Sequence, residues 1–225
     1  MSIGSSRKTP SVTVVGAGIV GAAIAYSLAR RGAAVTVIDK GRPGGGATSH
    51  SFAWINATAK HPVPYHNFNR RSLGPWERFA KGVEVDGGVR WGGQMEWAAT
   101  AEGAAELESR AAQLQAWGYP CQMLDGAQAA QLEPALSLGD VTAAIYCDLD
   151  GMVEPTLAAE ACIRAAARHG TTVKLGTEVT GLESDSSSVR VVAGGESIAS
   201  DVVVLAGGLD NTPLAAMAGI AIPQQ

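Results

Sequence analysis

A glycine-rich turn between a β-branched run and a helical stretch constrains this chain more than any other feature. Val12–Val15 reads as a short buried parallel strand, and a helical pattern begins at Ile19 and continues to Arg31. The turn between them, Gly16 to Gly21, has the spacing G-x-G-x-x-G. In such a motif the first glycine makes the tight turn, the second lets a pyrophosphate approach the backbone, and the third lets helix pack on strand. The free N–H groups at the helix start then face the phosphates.

The residues after this helix supply the context that the motif needs. Ala33–Ile38 predicts a second buried strand, and this strand ends at Asp39, which follows Gly21 by 18 residues. An acidic residue near this spacing accepts hydrogen bonds from the ribose hydroxyls of a bound adenosine. The same carboxylate would repel a 2′-phosphate, which disfavours NADP. We therefore predict a dinucleotide site, with a glycine turn that merely packs as the alternative.

A second glycine-rich segment follows directly, from Lys40 to Ser51. Four glycines and a proline within Gly41–Gly46 preclude a regular element, so a loop is predicted. Its amides, with the hydroxyls of Thr48 and Ser49, suit the binding of phosphate oxygens in a backbone nest. A flexible linker is the alternative. The apolar Phe52–Ile55 that follows favours an ordered binding loop.

Composition narrows the class of protein. With 225 residues, 46% hydrophobic content and a net charge of −4, we expect a globular, cytoplasmic chain that binds neither nucleic acid nor an anionic membrane. Residues 12–29 are apolar, but their glycine turn argues against a membrane span. The three cysteines have no C-x-x-C spacing, so neither a metal site nor a disulfide framework is indicated.

The rest of the chain divides into a returning nucleotide-binding pattern and an insert. Residues 89–147 interrupt the pattern with two or three strands and two helices, and a bend is expected at the glycine pair within Val89–Ala98. A helix beginning at Pro155, a strand at Thr171–Leu175 and a hairpin then follow, and a strand at Val202–Leu205 precedes Gly207 and Gly208. The predicted domains are 1–88 with 148–225, and 89–147.

Together, Gly16–Gly21, Asp39-Lys40 and the loop ending in Gly46-Ala47-Thr48-Ser49 resemble the FAD-dependent amine and D-amino-acid oxidoreductases, the family of glycine oxidase, sarcosine oxidase and the D-amino-acid dehydrogenases. The resemblance implies an α/β fold: a Rossmann-like FAD-binding domain of the glutathione-reductase type with an inserted, incomplete α+β substrate domain. It implies FAD contacts for Gly16, Ala17, Gly18, Ile19, Val20 and Gly21 (pyrophosphate), Asp39 (adenosine ribose), Thr48 and Ser49 (phosphate or ribityl chain), the backbone of Ala53, Trp54 and Ile55 (flavin ring) and that of Val179 (adenine). It also implies cofactor contacts for Lys40, Gly46, Ala47, His50, Ala206, Gly207 and Gly208.

His50 has a second predicted role. In the sarcosine and dimethylglycine dehydrogenase branch, a histidine in this register after Gly46-Ala47-Thr48-Ser49 is bonded covalently to the flavin. A neutral imidazole is a competent nucleophile near neutral pH. The alternative, that His50 only hydrogen-bonds the cofactor or solvent, stays open.

The resemblance implies oxidation of the C–N bond of a small amine or amino acid, with hydride transfer to flavin N5 and hydrolysis of the imine. No catalytic residue and no metal ligand can be named from the sequence. The chain ends where members of the family continue, so we expect a second polypeptide or a missing segment to complete the substrate domain. A non-catalytic flavin-binding or assembly subunit and an NAD-binding dehydrogenase are the alternatives, although the second glycine loop speaks against the latter.

Overall fold

The computed structural model describes residues 9–85, 88–184 and 188–223. The chain forms two compact units: the first comprises residues 1–53, 80–88 and 154–225, and the second comprises Trp54–Phe79 and Val89–Val153. The second unit contains the predicted insert, residues 89–147, together with flanking segments on both sides. The predicted domain boundaries stay a prediction.

The described residues contain six α-helices and thirteen β-strands. The helices are α1 (Ile19–Ala29), α2 (Val63–Val83), α3 (Ala101–Ala116), α4 (Gly126–Leu132), α5 (Pro155–Arg168) and α6 (Asn211–Met217). The strands are β1 (Ser11–Val15), β2 (Ala34–Ile38), β3 (Trp54–Ile55), β4 (Val89–Trp91), β5 (Gln94–Ala98), β6 (Gln122–Leu124), β7 (Ala143–Cys147), β8 (Gly151–Val153), β9 (Thr172–Lys174), β10 (Val179–Ser184), β11 (Val189–Ala193), β12 (Glu196–Ser200) and β13 (Val202–Leu205). Short 3₁₀ helices cover Ala47–His50 and Gly208–Asp210.

A four-stranded parallel sheet organises the first unit. Its strand order is β13-β1-β2-β9, and β1 lies between β2 and β13 with Val15 opposite both Ile38 and Leu205. The β-branched residues of β1 and β2 suit this position because strands covered on both faces need near-continuous apolar side chains. Chain order reverses at β1, and in open α/β sheets ligands bind beyond the carboxyl ends of the strands at such a point. The predicted Rossmann-like α/β fold is confirmed.

Two layers bury this sheet. The helices α1 and α5 pack on one another, where Gly21, Ala22 and Ala25 of α1 and the alanines of α5 are buried. The antiparallel sheet β10-β11-β12 packs through Leu182 and Val191 on Val15 and Ile38 of the parallel sheet. The carboxyl ends of β1 and β2 are therefore held by a continuous apolar core.

The second unit contains two three-stranded antiparallel sheets, with orders β3-β8-β4 and β5-β7-β6, and α3 packs on the latter. The expectation of two or three strands in residues 89–147 is wrong, since four strands lie there: β4, β5, β6 and β7. The extra strand, β6, has only three residues, which is too short to carry a periodic pattern.

The expected bend in Val89–Ala98 separates two strands that belong to different sheets. Gly93 has φ +76°, and a Cβ there would collide with the ring of Tyr146. The predicted hairpin of β10 and β11 is present, although its turn at residues 185–187 lies outside the described residues. Among the helices that the structure describes, none has both the length and the apolar character needed to cross a bilayer.

Candidate functional site

The glycine turn after β1 leaves no room for side chains. Gly16 has φ +108°, and a Cβ on it would collide with the carbonyl oxygen of Ala206, at the end of β13. A Cβ on Gly21 would collide with the carbonyl oxygen of Gly16. Both glycines are therefore required by close contacts, and Gly16 by its backbone conformation as well. They bring the ends of β1 and β13 and the start of α1 together.

The start of α1 presents backbone donors that have no acceptor within the helix. The first helical hydrogen bond runs from the Ala22 N–H to the Gly18 oxygen at 2.9 Å, so the N–H groups before it point out of the helix end. The first turn contains no acidic side chain. The helix dipole adds partial positive charge at the same end. This end of α1 can therefore bind an anion such as a phosphate.

Asp39 ties two loops to each other. Its Oδ2 accepts a hydrogen bond from the Ala17 N–H at 2.6 Å, and its Oδ1 accepts one from the Gly41 N–H at 2.7 Å. The carboxylate thus joins the turn after β1 to the loop after β2. Each carboxylate oxygen has room for a further donor, so these contacts are compatible with the predicted ribose contact, which stays a prediction.

Thr48 fixes the second glycine loop on the start of α1. Its side chain is buried, and its Oγ1 accepts a hydrogen bond from the Ile19 N–H at 3.0 Å. A Cβ on Gly18 would lie 3.3 Å from the same oxygen. The Gly44 N–H also donates to the Ala17 oxygen at 3.0 Å. The loop is therefore an ordered part of the site and not a free linker.

These loops surround a cavity of about 660 Å³ in the first unit. Thirteen of the predicted site residues line it: Gly16, Gly18, Ile19, Val20, Asp39, Lys40, Gly46, Ala47, Thr48, Val179, Ala206, Gly207 and Gly208. The volume lies within the roughly 300–1,000 Å³ usual for ligand pockets. The cavity thus brings together residues from five separate stretches of the chain.

The other predicted residues do not line this cavity. Ala17 and Gly21 shape the turn, and the Ser49 hydroxyl donates to the Gly46 oxygen at 2.9 Å. His50 is exposed at the end of the 3₁₀ helix Ala47–His50. Ala53 has φ +49°, an unusual value for a residue other than glycine. Trp54 and Ile55 form β3 of the second unit.

Several lining residues were not expected from the sequence. Asp210 lies on the cavity wall together with Lys40, and the Lys40 Nζ lies 2.7 Å from its carboxylate. This hydrogen bond and the charge of Asp210 raise the pKa of Lys40. Pro213, Leu214 and Met217 of α6 add an apolar side. The run of apolar residues from Leu214 was visible in the sequence, but only its packing after β13 places it here.

A second polar cluster is enclosed in the other unit. The Tyr119 hydroxyl donates a hydrogen bond to Asp150 and accepts one from the Ala57 N–H at 3.3 Å. Burial, and to a smaller extent Asp148, raises the pKa of Asp150 to about 6, although the bond from Tyr119 opposes the shift. The Nδ1 of His66 lies 2.8 Å from the Ala57 oxygen. Tyr119 bonds directly to Asp150, and both Tyr119 and His66 contact the backbone of Ala57, which indicates a structural role.

Comparisons with known proteins agree on one family. A family model described as DAO, FAD dependent oxidoreductase, matches residues 11–225. Glycine oxidase of Geobacillus kaustophilus is 31% identical over 217 residues, which cover 94% of this chain and 58% of the relative. A subunit of the opine oxidase of Agrobacterium tumefaciens is 32% identical over 223 residues, or 94% of this chain and 60% of the relative. A crystal structure of the Geobacillus kaustophilus glycine oxidase matches with TM-score 0.85 and 30% identity, over 95% of this chain and 60% of that one.

Proposed function

Because this chain belongs to the FAD dependent oxidoreductase family, we propose that it is the FAD-binding part of a flavoenzyme that oxidises the C–N bond of an amine or amino acid. The family's cofactor is FAD, so the NAD-binding alternative is set aside. The resemblance to the amine and amino-acid oxidoreductases is confirmed by the same match and by the glycine oxidase and opine oxidase relatives.

One observation carries the proposal for the site: Asp39 and Thr48 bind the backbone of the first glycine turn from two other loops, around a cavity of about 660 Å³. The chemistry of the lining fits a dinucleotide. Glycine backbone and helix amides suit the pyrophosphate, the Asp39 carboxylate suits ribose hydroxyls, and the apolar wall by Val179 and Leu214 suits a planar ring.

Within this proposal the residues have distinct roles. Gly16, Gly18, Ile19 and Val20 hold the pyrophosphate, and Asp39 holds the adenosine ribose. The remaining predicted contacts are the backbone of Val179 at the adenine, Thr48 and Ser49 along the phosphate or ribityl chain, and the backbone of Ala53, Trp54 and Ile55 along the flavin ring. Gly46, Ala47, Ala206, Gly207 and Gly208 are further predicted contacts of the cofactor. Ala17, Gly21 and Lys40 shape and flank the site.

The relatives, which are named oxidases of glycine and of opines, support this reaction class. When bound, FAD supplies the two-electron acceptor for this chemistry, and the protein positions the cofactor. The chain spans about three fifths of the length of these relatives. We therefore propose that a further polypeptide segment completes the substrate domain and contributes the residues that contact the amine. The opine oxidase relative is itself named as one subunit of its enzyme, which supports a multi-subunit arrangement.

The test begins with the visible spectrum of the purified chain titrated with FAD, where a bound flavin has a resolved and shifted absorption band and quenched fluorescence. Anaerobic addition of a panel of amines and amino acids follows, with and without a co-purifying partner. Bleaching with one class of substrate supports the enzyme. Stoichiometric FAD binding without bleaching in either condition would instead favour a non-catalytic flavin-binding subunit, which the opine oxidase relative also allows.

Covalent attachment through His50 is a separate proposal. The exposed position of His50, two residues after Thr48, leaves its imidazole accessible. Acid precipitation of the flavin-loaded protein, followed by mass spectrometry, measures the attachment. A flavin adduct that is absent from His50→Ala supports it, and complete release of flavin from the unaltered chain refutes it.

A further inference from the structure

The ladder between β6 and β7 is followed by two facing cysteines. Its register pairs Gln122 with Tyr146 and Met123 with Ile145. Cys121 directly precedes β6, and continuation of this register by one residue would place it opposite Cys147, the last residue of β7. Directly opposed residues of antiparallel strands have Cα atoms about 4.5–5.5 Å apart and side chains on the same face. The two cysteines, 26 positions apart in the chain, are therefore neighbours.

The surroundings place both thiols between the sheet and α3. The Cys121 thiol donates to the Ala111 oxygen of α3 at 3.6 Å. Cys147 is only 2% exposed, whereas Cys121 is partly exposed. Burial raises the pKa of Cys121, and a hydrogen bond with Cys147 partly offsets this rise. Both thiols are free in this structure.

We propose that Cys121 and Cys147 form an oxidation site, in which a hydroperoxide converts the facing thiols into an intrachain disulfide. Disulfides need Cα atoms about 4.4–6.8 Å apart, and the opposed positions of an antiparallel ladder satisfy this without movement of the strands. The partly exposed Cys121 is the thiol that meets the oxidant. Cys147 is the resolving thiol.

The chemistry balances with hydrogen peroxide as the sole oxidant. The Cys121 thiol loses its proton, the thiolate attacks one peroxide oxygen, and the O–O bond breaks to give a sulfenic acid and hydroxide, which takes up the released proton to become the first water. The Cys147 sulfur then attacks the sulfur of Cys121, the S–O bond breaks, and the departing hydroxide takes a proton to become the second water. Two thiols lose two electrons and two protons, and one peroxide is reduced to two waters.

The environment makes this oxidation slow near neutral pH. Burial and, to a smaller extent, the charges of Asp150, Cys121 and Asp148 raise the pKa of Cys147 to about 12, although Arg110 opposes the shift. Because only the thiolate reacts, the rate rises with pH. We therefore expect faster oxidation at mildly alkaline pH than at neutral pH.

The disulfide would fasten an edge strand. In the order β5-β7-β6, β6 is the outer strand, and the bond would close the loop that contains α4. Closing a loop of this kind lowers the entropy of the unfolded chain. We expect the thermal unfolding midpoint to rise by several degrees after oxidation and to return to its starting value after treatment with dithiothreitol.

The experiment uses the full chain, incubated with hydrogen peroxide at mildly alkaline pH, then denatured and alkylated. The expected result is loss of two of the three alkylatable thiols, a monomer mass lower by two hydrogen atoms, and a peptide that links Cys121 to Cys147. Cys162, buried in α5 of the first unit, remains alkylatable and serves as the internal control. Cys162→Ala should behave as the unaltered chain, and Cys147→Ala should lose the link.

Retention of all three thiols under these conditions would overturn the proposal. So would a linkage between two copies of the chain, or Cys121 oxidation that stops at the sulfinic acid with Cys147 intact. The unaltered chain gives the decisive result, so the proposal remains testable if a variant fails to fold. Because the readout does not involve FAD or an amine, its failure leaves the proposed function untouched.

Discussion

Asp39→Asn tests whether the loops around the cavity are held by geometry or by charge. The amide keeps one acceptor oxygen and replaces the other with an NH2 group. Asp39 now accepts two backbone N–H groups, at 2.6 Å from Ala17 and 2.7 Å from Gly41. One of these donors must therefore face another donor in the variant. Charge alone predicts the opposite change in FAD affinity, because removal of a negative charge near the pyrophosphate would strengthen binding.

The magnitude follows from the lost bond. A hydrogen bond to a charged group contributes about 1.5–3 kcal/mol, and partial exposure of Asp39 reduces this to roughly 1–2 kcal/mol. We expect the dissociation constant for FAD to rise roughly 5- to 30-fold. Quenching of FAD fluorescence measures this constant, and urea unfolding of the FAD-free chain measures how much of the loss appears as lower stability.

Glu178→Gln is the matched control, since Glu178 also lines the cavity and its replacement changes the net charge equally. We expect its FAD affinity to stay within about twofold of the unaltered chain, because surface charges contribute little. Unchanged FAD binding by Asp39→Asn would refute the loop-anchoring role. Equal weakening by both variants would assign the effect to charge.

Three further predictions concern folding. Gly16→Ala should lower the free energy of unfolding by roughly 2–5 kcal/mol and abolish FAD binding, because its Cβ would collide with the backbone after β13. Gly32→Ala is the control, since Gly32 also has a positive φ but lies in open space, and it should lower the free energy of unfolding by only roughly 1–2 kcal/mol. Urea unfolding measures both losses, and equal losses would contradict the role of the collision at Gly16. Thr48→Val should destabilise the FAD-free chain by about 1–3 kcal/mol, because the Ile19 N–H loses its acceptor. Thr48→Ser keeps a hydroxyl and should retain most of the stability. Equal stability of the two variants in urea unfolding would show that the hydrogen bond from Ile19 to Thr48 does not stabilise the chain. Burial raises the pKa of Asp150 in the folded chain to about 6, so the folded state binds the proton more tightly and the free energy of unfolding should fall as pH rises from about 4 through about 6. Urea unfolding at several pH values should show that Asp150→Asn removes up to about 3 kcal/mol of this decrease. An identical pH dependence in both proteins would show that Asp150 does not titrate in this way.

The local patterns of the first unit were sufficient to predict its central elements. Valine runs and glycine spacing predicted β1, α1 and β2 because each signal lies within a few consecutive residues. Short strands could not be predicted in the same way. Gly151–Val153 became β8 only because β3 and β4 supply its hydrogen-bonding partners, and neither its length nor its composition shows this.

Local sequence patterns were likewise insufficient to predict the contacts between distant residues at the site. The sequence predicted many of the residues that line the cavity, because the motif prescribes the spacing of Gly16–Gly21 and Asp39. It did not predict that the carboxylate of Asp39 anchors two loops, since this depends on where Gly41 turns. The contribution of Asp210 and α6, and the register that brings Cys121 towards Cys147, likewise arise from the packing of residues that are distant in the chain.

A crystal structure of the chain with FAD tests the central claim most directly. We expect electron density for the pyrophosphate at the start of α1, within hydrogen-bonding distance of the Gly18 or Val20 amide, and for the adenosine ribose beside Asp39. Density for FAD elsewhere, with the turn at Gly16 in contact only with protein or solvent, would contradict this claim.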